Sequence, residues 1–344
     1  MDSTKKMMLS IVIPVCNGGE SFRRCLASLA DYAPPSIEIV IVVDGGTDHS
    51  GQLAQAFGAK VLQLPTSGGP ARARNLGAQM ATGDILFFMD ADVTIAPNTL
   101  EQIIAVFQEQ PDLAALIGSY DDMPGAPNFL AQYKNLFHHY THQTASEEAS
   151  TFWGACGAIR RDIFLKVGGF NEAYRYPSIE DIELGYRLRH LGYRIRLCKS
   201  IQVKHLKRWE PVSLLKAEIF YRALPWTELL WHNRQFINDL NLKSEARLSV
   251  VLTFTLVAAL IAAGWWQLAW GVAAAAAIAL LLINLPVYRF FLRKRGWIFM
   301  LKTIPWHWLY FFYSGFSFAI GTARYHLFSK RRMRPVNASA AQIS

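Results

Sequence analysis

A mostly parallel α/β sheet with helices on both faces, followed by interfacial amphipathic helices and a small apolar helical region, is the architecture this sequence points to. Short runs rich in β-branched residues alternate with helix-like segments up to about Leu197. Several of those runs stop at an Asp or Asn beside glycine, the punctuation expected where a buried strand turns into a ligand-facing loop. Apolar residues make up 52% of the 344 residues and charged residues only 18%. That excess is concentrated beyond Ser244, so the first part reads as an ordinary α/β protein and the last part as a membrane-type segment.

The elements follow in order. LSIVIPV is a buried parallel strand that ends at Asn17-Gly18-Gly19, with Ser21 as cap of a helix over Phe22–Ala30. IEIVIVV is the second strand and ends at Asp44-Gly45-Gly46. A helix over Ser50–Phe57 and a strand over Lys60–Leu64 come next. Pro70–Ala81 is helical, and Asp84–Met89 is a strand that runs into Asp90. A loop is expected over Asp121–Asn128, a helix over Glu180–Leu191 and a strand over Tyr193–Cys198. This first domain is placed at 1–209.

Residues 210–243 read differently. Pro211 suits the first turn of a helix, and Val212, Leu215, Ile219 and Leu224 recur at helical spacing opposite Lys216 and Arg222. Pro225 breaks this helix, and a second follows with Trp226, Leu230, Trp231 and Ile237. Amphipathic helices with tryptophan and basic residues suit a membrane interface. Residues 244–322 contain apolar runs at Leu248–Gly264, Leu268–Val287 and Trp297–Gly321, against the roughly 20 residues needed to cross a bilayer. Trp265, Trp266 and Trp270 form an aromatic belt at a short turn. Three crossings with the first domain inside leave the basic tail of 323–344, with Lys330 and Arg331, outside. The positive-inside rule prefers it inside; three crossings are the expectation, with a re-entrant or interfacial third segment as the alternative.

The net charge of +9 has no nucleic-acid signature beside it; its basic clusters at Arg187–Arg208, Arg289–Arg295 and Lys330–Arg334 flank the apolar region, as expected for contact with anionic lipid. Cys16, Cys25, Cys156 and Cys198 show no paired spacing and are read as reduced. The N-terminus leads into a strand without a signal peptide, so the first domain is expected to be cytoplasmic, at the inner (plasma) membrane of a multi-pass protein.

Asp90-Ala91-Asp92 closes an apolar strand, at the end of an open α/β sheet where ligands bind. Two carboxylates so spaced can hold a hard divalent cation, Mg2+ or Mn2+, beside a diphosphate. His205 can complete that metal shell. Asp44 can accept from a nucleobase N–H or a ribose hydroxyl, although an Asp-Gly turn by itself is ordinary. Arg72, Arg74 and Arg208 are candidate diphosphate contacts; a guanidinium fork pairs with phosphate bidentately. Glu180 and Asp181 are candidates for the base that deprotonates an acceptor, and equally for a favourable charge pair at a helix N-terminus. Trp209 is placed at an acceptor entrance near the membrane.

Taken together these residues resemble the family 2 glycosyltransferases of GT-A fold, the nucleotide-diphospho-sugar transferase architecture. The similarity covers about residues 8–209, through SIVIPVCNGG, EIVIVVDGGTDHS, GGPARARNLGAQMATGDILFFMDADV, WGACGAIRRDIFLKVGGFNE and IEDIELGYRLRHLGYRI in family order. The resemblance implies inverting transfer from a nucleotide-diphosphate sugar, most often a UDP-sugar. It implies that Pro14, Cys16, Asn17 and Asp44 line the donor site, that Asp90 and Asp92 are the metal pair, and that Asp181 is the base. Gly154 and Gly157 fall in the loop around the donor sugar and Trp153 on the acceptor side. Cys16 stands where the family often has Tyr, Val43 where it often has a second Asp, and His205 where the polysaccharide synthases have Gln. The expected acceptor is a lipid or lipid-linked molecule. The alternatives are a polysaccharide or soluble acceptor with the helices only as anchor, and a non-catalytic scaffold.

Overall fold

A computed structural model describes residues 7–233 and 243–328. The first half is an alternation: β1 (Leu9–Val15), α1 (Gly19–Tyr32), β2 (Glu38–Asp44), α2 (Ser50–Ala56), β3 (Lys60–Leu64), α3 (Pro70–Met80) and β4 (Ile85–Met89). Then come β5 (Val93–Ile95), α4 (Thr99–Glu109), β6 (Leu113–Tyr120), α5 (Phe129–Thr144), β7 (Cys156–Arg160), α6 (Arg161–Lys166), α7 (Glu180–His190) and β8 (Arg194–His205). The strands form one sheet in the order β3-β2-β1-β4-β7-β6-β8-β5. The half from β3 to β4 is parallel throughout. Beyond it, β7 runs antiparallel to both β4 and β6, β5 runs antiparallel to β8, and β6 pairs with β8 in parallel. Four of the seven strand pairings are parallel, as the α/β pattern predicts, and the three antiparallel ones come from turn-backs after Asp90 that apolar runs alone do not reveal.

Both faces of the sheet are buried. Ile11, Ile13, Phe87 and Met89 point into one core with Phe22 and Leu29; Val12 and Phe88 point into the other with Phe152, Phe164, Phe170 and Leu184. This is why β1 and β4 read as continuous apolar runs and not as alternating ones. Some boundaries move. α1 begins at Gly19, so Ser21 lies inside its first turn and does not cap it. β8 continues well past Cys198 to His205, its later residues pairing with β5.

After β8 come α8 (Pro211–Lys216), a π-helical stretch (Ala217–Ala223) and α9 (Leu224–Asn233). They pack on the first domain. Leu229, Leu230 and Trp226 pack against Ile179, Ile182 and Tyr186 of α7 and the loop before it, and Trp226 Nε1 donates to the Tyr186 hydroxyl at 3.0 Å. The wider π turns rotate the buried stripe, so that Leu214, Glu218 and Leu224 face inward while Val212 is 80% exposed and Phe220 is also exposed. Trp231 packs beside Phe318 and Tyr325 and donates to the Thr322 hydroxyl. Ile237 lies outside the described residues.

The chain ends in α10 (Ser244–Ala262), α11 (Leu268–Ile283), α12 (Leu285–Arg295) and α13 (Trp297–Phe328). Among the described residues, α10 is the one helix long and apolar enough to cross a membrane, with a mean hydropathy of 1.8. α11 and α12 pass the same test only as a pair bent by 60°. Three crossings are therefore not supported. The third apolar run is α13, where Lys302, His307 and a series of half-buried aromatics dilute the hydropathy, and α13 packs on α12, α10 and α9. The basic residues Lys330–Arg334 lie outside the described residues. The four cysteines are free thiols.

Candidate active site

The carboxyl ends of β1, β2 and β3 are braced to one another by side chains that the sequence marked out. Asn17 turns the chain after β1 with a left-handed φ of 53°, and its Oδ1 accepts from the backbone N–H of Thr47 and Asp48 at 2.8 and 3.2 Å. Asp44, at the end of β2, accepts from the Ser67 hydroxyl and from the backbone N–H of Gly68 and Gly69 at 2.7–2.9 Å. The same close approach explains Gly45, whose φ is 67° and where a Cβ would lie 2.2 Å from the Ser67 nitrogen. Asp44 is buried and its hydrogen bonds are spent on shaping this rim. Cys16 is exposed on the rim, its thiol pushed up by partial burial and by the charges of Asp44 and Asp48. Pro14 is half-buried in β1 beneath it, and Arg72 is exposed beside Gly68.

Arg74 is not exposed. Its side chain is 6% accessible, and its guanidinium donates to Asp90 Oδ1 at 2.6 Å and to Glu180 Oε1 at 2.9 Å, tying α3 to the end of β4 and to the first turn of α7. The ring of Phe170 lies 5.5 Å beneath it. Burial works against this cation, but Asp90, Glu180 and Asp181 outweigh burial and hold it protonated. Arg74 thus organises the site from below, while Glu180 also accepts from the Ser178 backbone N–H at 2.9 Å.

Asp181 is the next residue of the same helix turn. Its Oδ2 accepts from the Gly154 backbone N–H at 3.0 Å and its Oδ1 from that of Ile182 at 2.8 Å. Gly185 lets α7 come this close, since a Cβ there would lie 2.1 Å from the Phe152 nitrogen. Burial, and then the charge of Glu180, push the Asp181 carboxyl up to about 6, against the Gly154 N–H, Arg74 and Arg222, which pull it down. A carboxyl so placed suits a base working near neutral pH. Gly157, at the start of β7, packs under Phe152 and the Trp153 carbonyl.

The antiparallel pairing of β5 with β8 sets Asp92 beside His205, with Nε2 3.5 Å from Oδ2. Burial pushes the Asp92 carboxyl up, but the charge of His205 and its hydrogen bond more than offset this, so the group lies below its ordinary value. His205 Nδ1 is 2.8 Å from Asn135 Oδ1, an acceptor, so Nδ1 carries a proton and Nε2 is the ring nitrogen that faces Asp92. Holding one ring nitrogen in this way orients the other towards a metal. Asp90, Asp92 and His205 offer oxygen and imidazole donors that fit Mg2+ or Mn2+. Among the described residues no group of three His, Cys, Asp or Glu side chains could hold an ion unaided, so a diphosphate and water would have to complete the shell. His205 also stacks on Tyr120, ring centroids 4.5 Å apart, and Tyr120 meets Trp153 at 4.7 Å. Trp153 in turn lies 4.7 Å from His138.

Arg208 and Trp209 are not brought to this cluster. Arg208 is exposed and pairs with Glu210 at 2.7 Å. Trp209 is 5% accessible, packed among Ala126, Leu130, Ala131 and Leu214 where α8 meets α5, with its carbonyl held by Asn128. A position between two chain segments suggested an entrance; the apolar residues of α5 that cover it could not be read from its neighbours in sequence. Sequence reasoning also missed Tyr120, Asn135, His138 and Arg222. The first helix-facing signal was present: Asn135, His138, His139 and His142 recur at helical spacing in α5, a polar stripe that needs an interior partner.

Residues 10–168 match the family described as Glycosyl transferase family 2, and residues 134–210 match the N-terminal domain of galactosyltransferase. The Pre-mycofactocin glycosyltransferase of Mycobacterium tuberculosis is 31% identical over 225 residues, covering 62% of this chain and 46% of that protein. The glycosyltransferase GlyG of Streptococcus pneumoniae is 32% identical over 118 residues, covering 33% of this chain and 39% of that one. The chain thus spans less than half the length of either relative. The mannosyltransferase PcManGT from Pyrobaculum calidifontis, solved in complex with GDP-Man and Mn2+, aligns over 92% of this chain and 88% of its own, with a TM-score of 0.57 and 16% identity, a likeness of fold.

Proposed function

We propose that this chain, which carries a glycosyltransferase family 2 domain of GT-A fold, moves one sugar from a nucleotide-diphosphate donor, a UDP-sugar, to a lipid or lipid-linked acceptor at the cytoplasmic face of a plasma membrane. The observation that carries this reading is the joined set Asp90–Arg74–Glu180 with Asp181 beside it. It sets a diphosphate-side carboxylate and a base tuned close to neutrality on one rigid frame. The rim around Asn17, Asp44 and Ser67–Gly69 receives the nucleotide, with Asp44 fixing the rim's shape. Asp90 and Asp92 would hold a divalent cation, which would supply positive charge to the departing diphosphate. Asp181, deprotonated, takes the proton of the acceptor hydroxyl as that oxygen attacks the sugar's anomeric carbon and the bond to the diphosphate breaks. Trp153 and Tyr120 offer the aromatic face for the acceptor. Support for a membrane-borne acceptor comes from α10 and from the turn after it, where Trp265 is 83% exposed beside exposed Trp266, Leu268 and Trp270.

The test is a transfer assay on membranes carrying the full chain, with a panel of radiolabelled nucleotide sugars followed by organic extraction. Label in the organic phase that depends on Asp181 supports the lipid acceptor. Label that stays on a water-soluble or protein product overturns that part of the reading, and no transfer from any donor overturns the whole.

A further inference from the structure

The π-helical stretch Ala217–Ala223 is stitched to the loop that leads into Glu180 and Asp181. Pro225 has no N–H to give the carbonyl four residues earlier, so Tyr221 lacks its α-helical partner there. The Ser178 hydroxyl donates to that carbonyl at 2.6 Å, and the rings of Tyr176 and Tyr221 stack with centroids 5.6 Å apart. The next side chain along is Arg222. One edge of its guanidinium is held by Glu218 Oε1 at 3.0 Å, at the i,i+4 spacing of one turn. Glu218 is buried, and its other oxygen takes Lys134 of α5 at 2.7 Å and lies 3.4 Å from the Tyr313 hydroxyl of α13.

Two features of this arrangement call for a ligand. The cluster is out of balance, with two cations on one buried carboxylate, so one positive charge is left over at its partly exposed arginine. And Arg222 keeps 44% of its side chain accessible. It follows Tyr221, whose carbonyl is held by Ser178, and the Ser178 N–H in turn donates to Glu180, so Arg222 lies beside the loop that opens α7; its charge also acts on the Asp181 carboxyl. Asp181 is not its ion-pair partner, since the Asp181 hydrogen bonds come from the backbone of Gly154 and Ile182. Glu218 accounts for one of the five N–H donors of the guanidinium, and the planar fork matches a phosphate.

We propose that Arg222 is a phosphate-binding residue of the cleft, held by Glu218 and the Ser178–Tyr221 bond so that its guanidinium meets a phosphate group of a substrate beside Asp181. The phosphate belongs either to the donor's diphosphate or to a phosphorylated acceptor. The site rests on the transferase reading for its purpose, but its chemistry can be measured without turnover.

The experiment is calorimetry on the full chain in detergent with two matched pairs of probes: UDP against uridine, and octyl phosphate against octanol. Arg222→Gln is expected to weaken UDP or octyl phosphate by tenfold or more, with uridine and octanol unchanged, and Arg222→Lys to recover part of the loss. A loss confined to UDP assigns the donor diphosphate; a loss confined to octyl phosphate assigns an acceptor phosphate. Wild-type affinity for both phosphorylated probes in Arg222→Gln overturns the proposal. So does an equal loss for the unphosphorylated partners, which would mark Arg222 as structural. A wild-type chain that transfers no sugar would sink the transferase reading while leaving this binding comparison readable.

Discussion

Two charge clusters, each built around a buried hub, have opposite balance. Around Arg74, one cation holds two carboxylates, Asp90 and Glu180, with Asp181 adjacent. Around Glu218, one carboxylate holds two cations, Lys134 and Arg222. The first cluster joins α3, β4 and α7 and leaves a surplus of negative charge, which suits a divalent cation and a base. The second joins α5, the π-helical stretch and α13 and leaves a surplus of positive charge, which suits an anionic substrate. The stretch after β8 therefore contributes charge that acts on Asp181.

The largest effect is expected at Asp181. Asp181→Asn cannot accept a proton, and loss of a positioned base costs about 10²–10⁴-fold in rate. Transfer should fall by that factor in kcat while donor affinity, read by calorimetry with UDP, stays within about twofold. Lost UDP binding in this variant would move Asp181 out of the base role.

Next come the two hubs themselves, which should differ in stability. Arg74→Met strands two carboxylates, Glu180 fully buried among them, and removing one partner of a buried pair costs about 3–5 kcal/mol. Glu218→Gln keeps the shape and an amide oxygen, and one of its two cations, Arg222, can reach water, so its cost should be nearer 1–3 kcal/mol. Urea unfolding of both variants measures the contrast. Equal losses would mean that Arg222 is as enclosed as Glu180.

A smaller effect sharpens the acidic side. Because burial and Glu180 push the Asp181 carboxyl up to about 6, transfer should rise with pH through that region and fall away below it, as the base becomes protonated. Glu180→Gln removes the like charge but keeps an oxygen for Arg74. The rising limb of the kcat/KM profile should then move to lower pH. An unmoved limb would mean that another group controls it.

The two sides were not equally legible in the sequence. β1 to β4 and their turns could be read because each strand is buried on both faces and each turn residue acts on neighbours close in the chain, as with Asp44 and Gly45. Asp90, Asp92, Glu180 and Asp181 could be singled out as charges next to apolar strands or at a helix start. Arg74 was read with Arg72 as a diphosphate contact, and its burial could not be seen, because the carboxylates that bury it come from β4 and α7. Arg222 was read as the polar face of an interfacial helix for a similar reason. An α-helical wheel gives the wrong phase across the π turns, and the buried partner, Lys134, is in α5. Trp209 failed in the reverse sense: an amphipathic side chain beside basic residues looked like an interface, and α5 covers it.

The mildest prediction concerns the opposite end of the sheet, where a carboxylate serves the fold alone. Glu38 opens β2 at the amino end of the strands, away from the cleft. It accepts from Lys60 at the start of β3, from the Ser10 hydroxyl of β1, and from the backbone and hydroxyl of Thr82 ahead of β4. Burial works against its charge, but the hydrogen bonds from Lys60, Ser10 and Thr82 prevail and bring it to about 2, below its ordinary 4.5. The folded state therefore favours the ionised form. The stability this contributes is fully present above pH 4.5 and is lost as pH falls through 2, when the carboxyl must take up a proton in the folded state as well. Glu38→Gln should cost on the order of 2 kcal/mol near neutral pH, the scale of hydrogen bonds to a charged group. The gap between variant and wild type should close as unfolding is repeated at pH 4, 3 and 2. Asp181 behaves in the opposite sense, its burial disfavouring the charge that catalysis needs. A gap for Glu38→Gln that stayed constant with pH would show that the strand ends are held by the shape of the side chain and not by its charge.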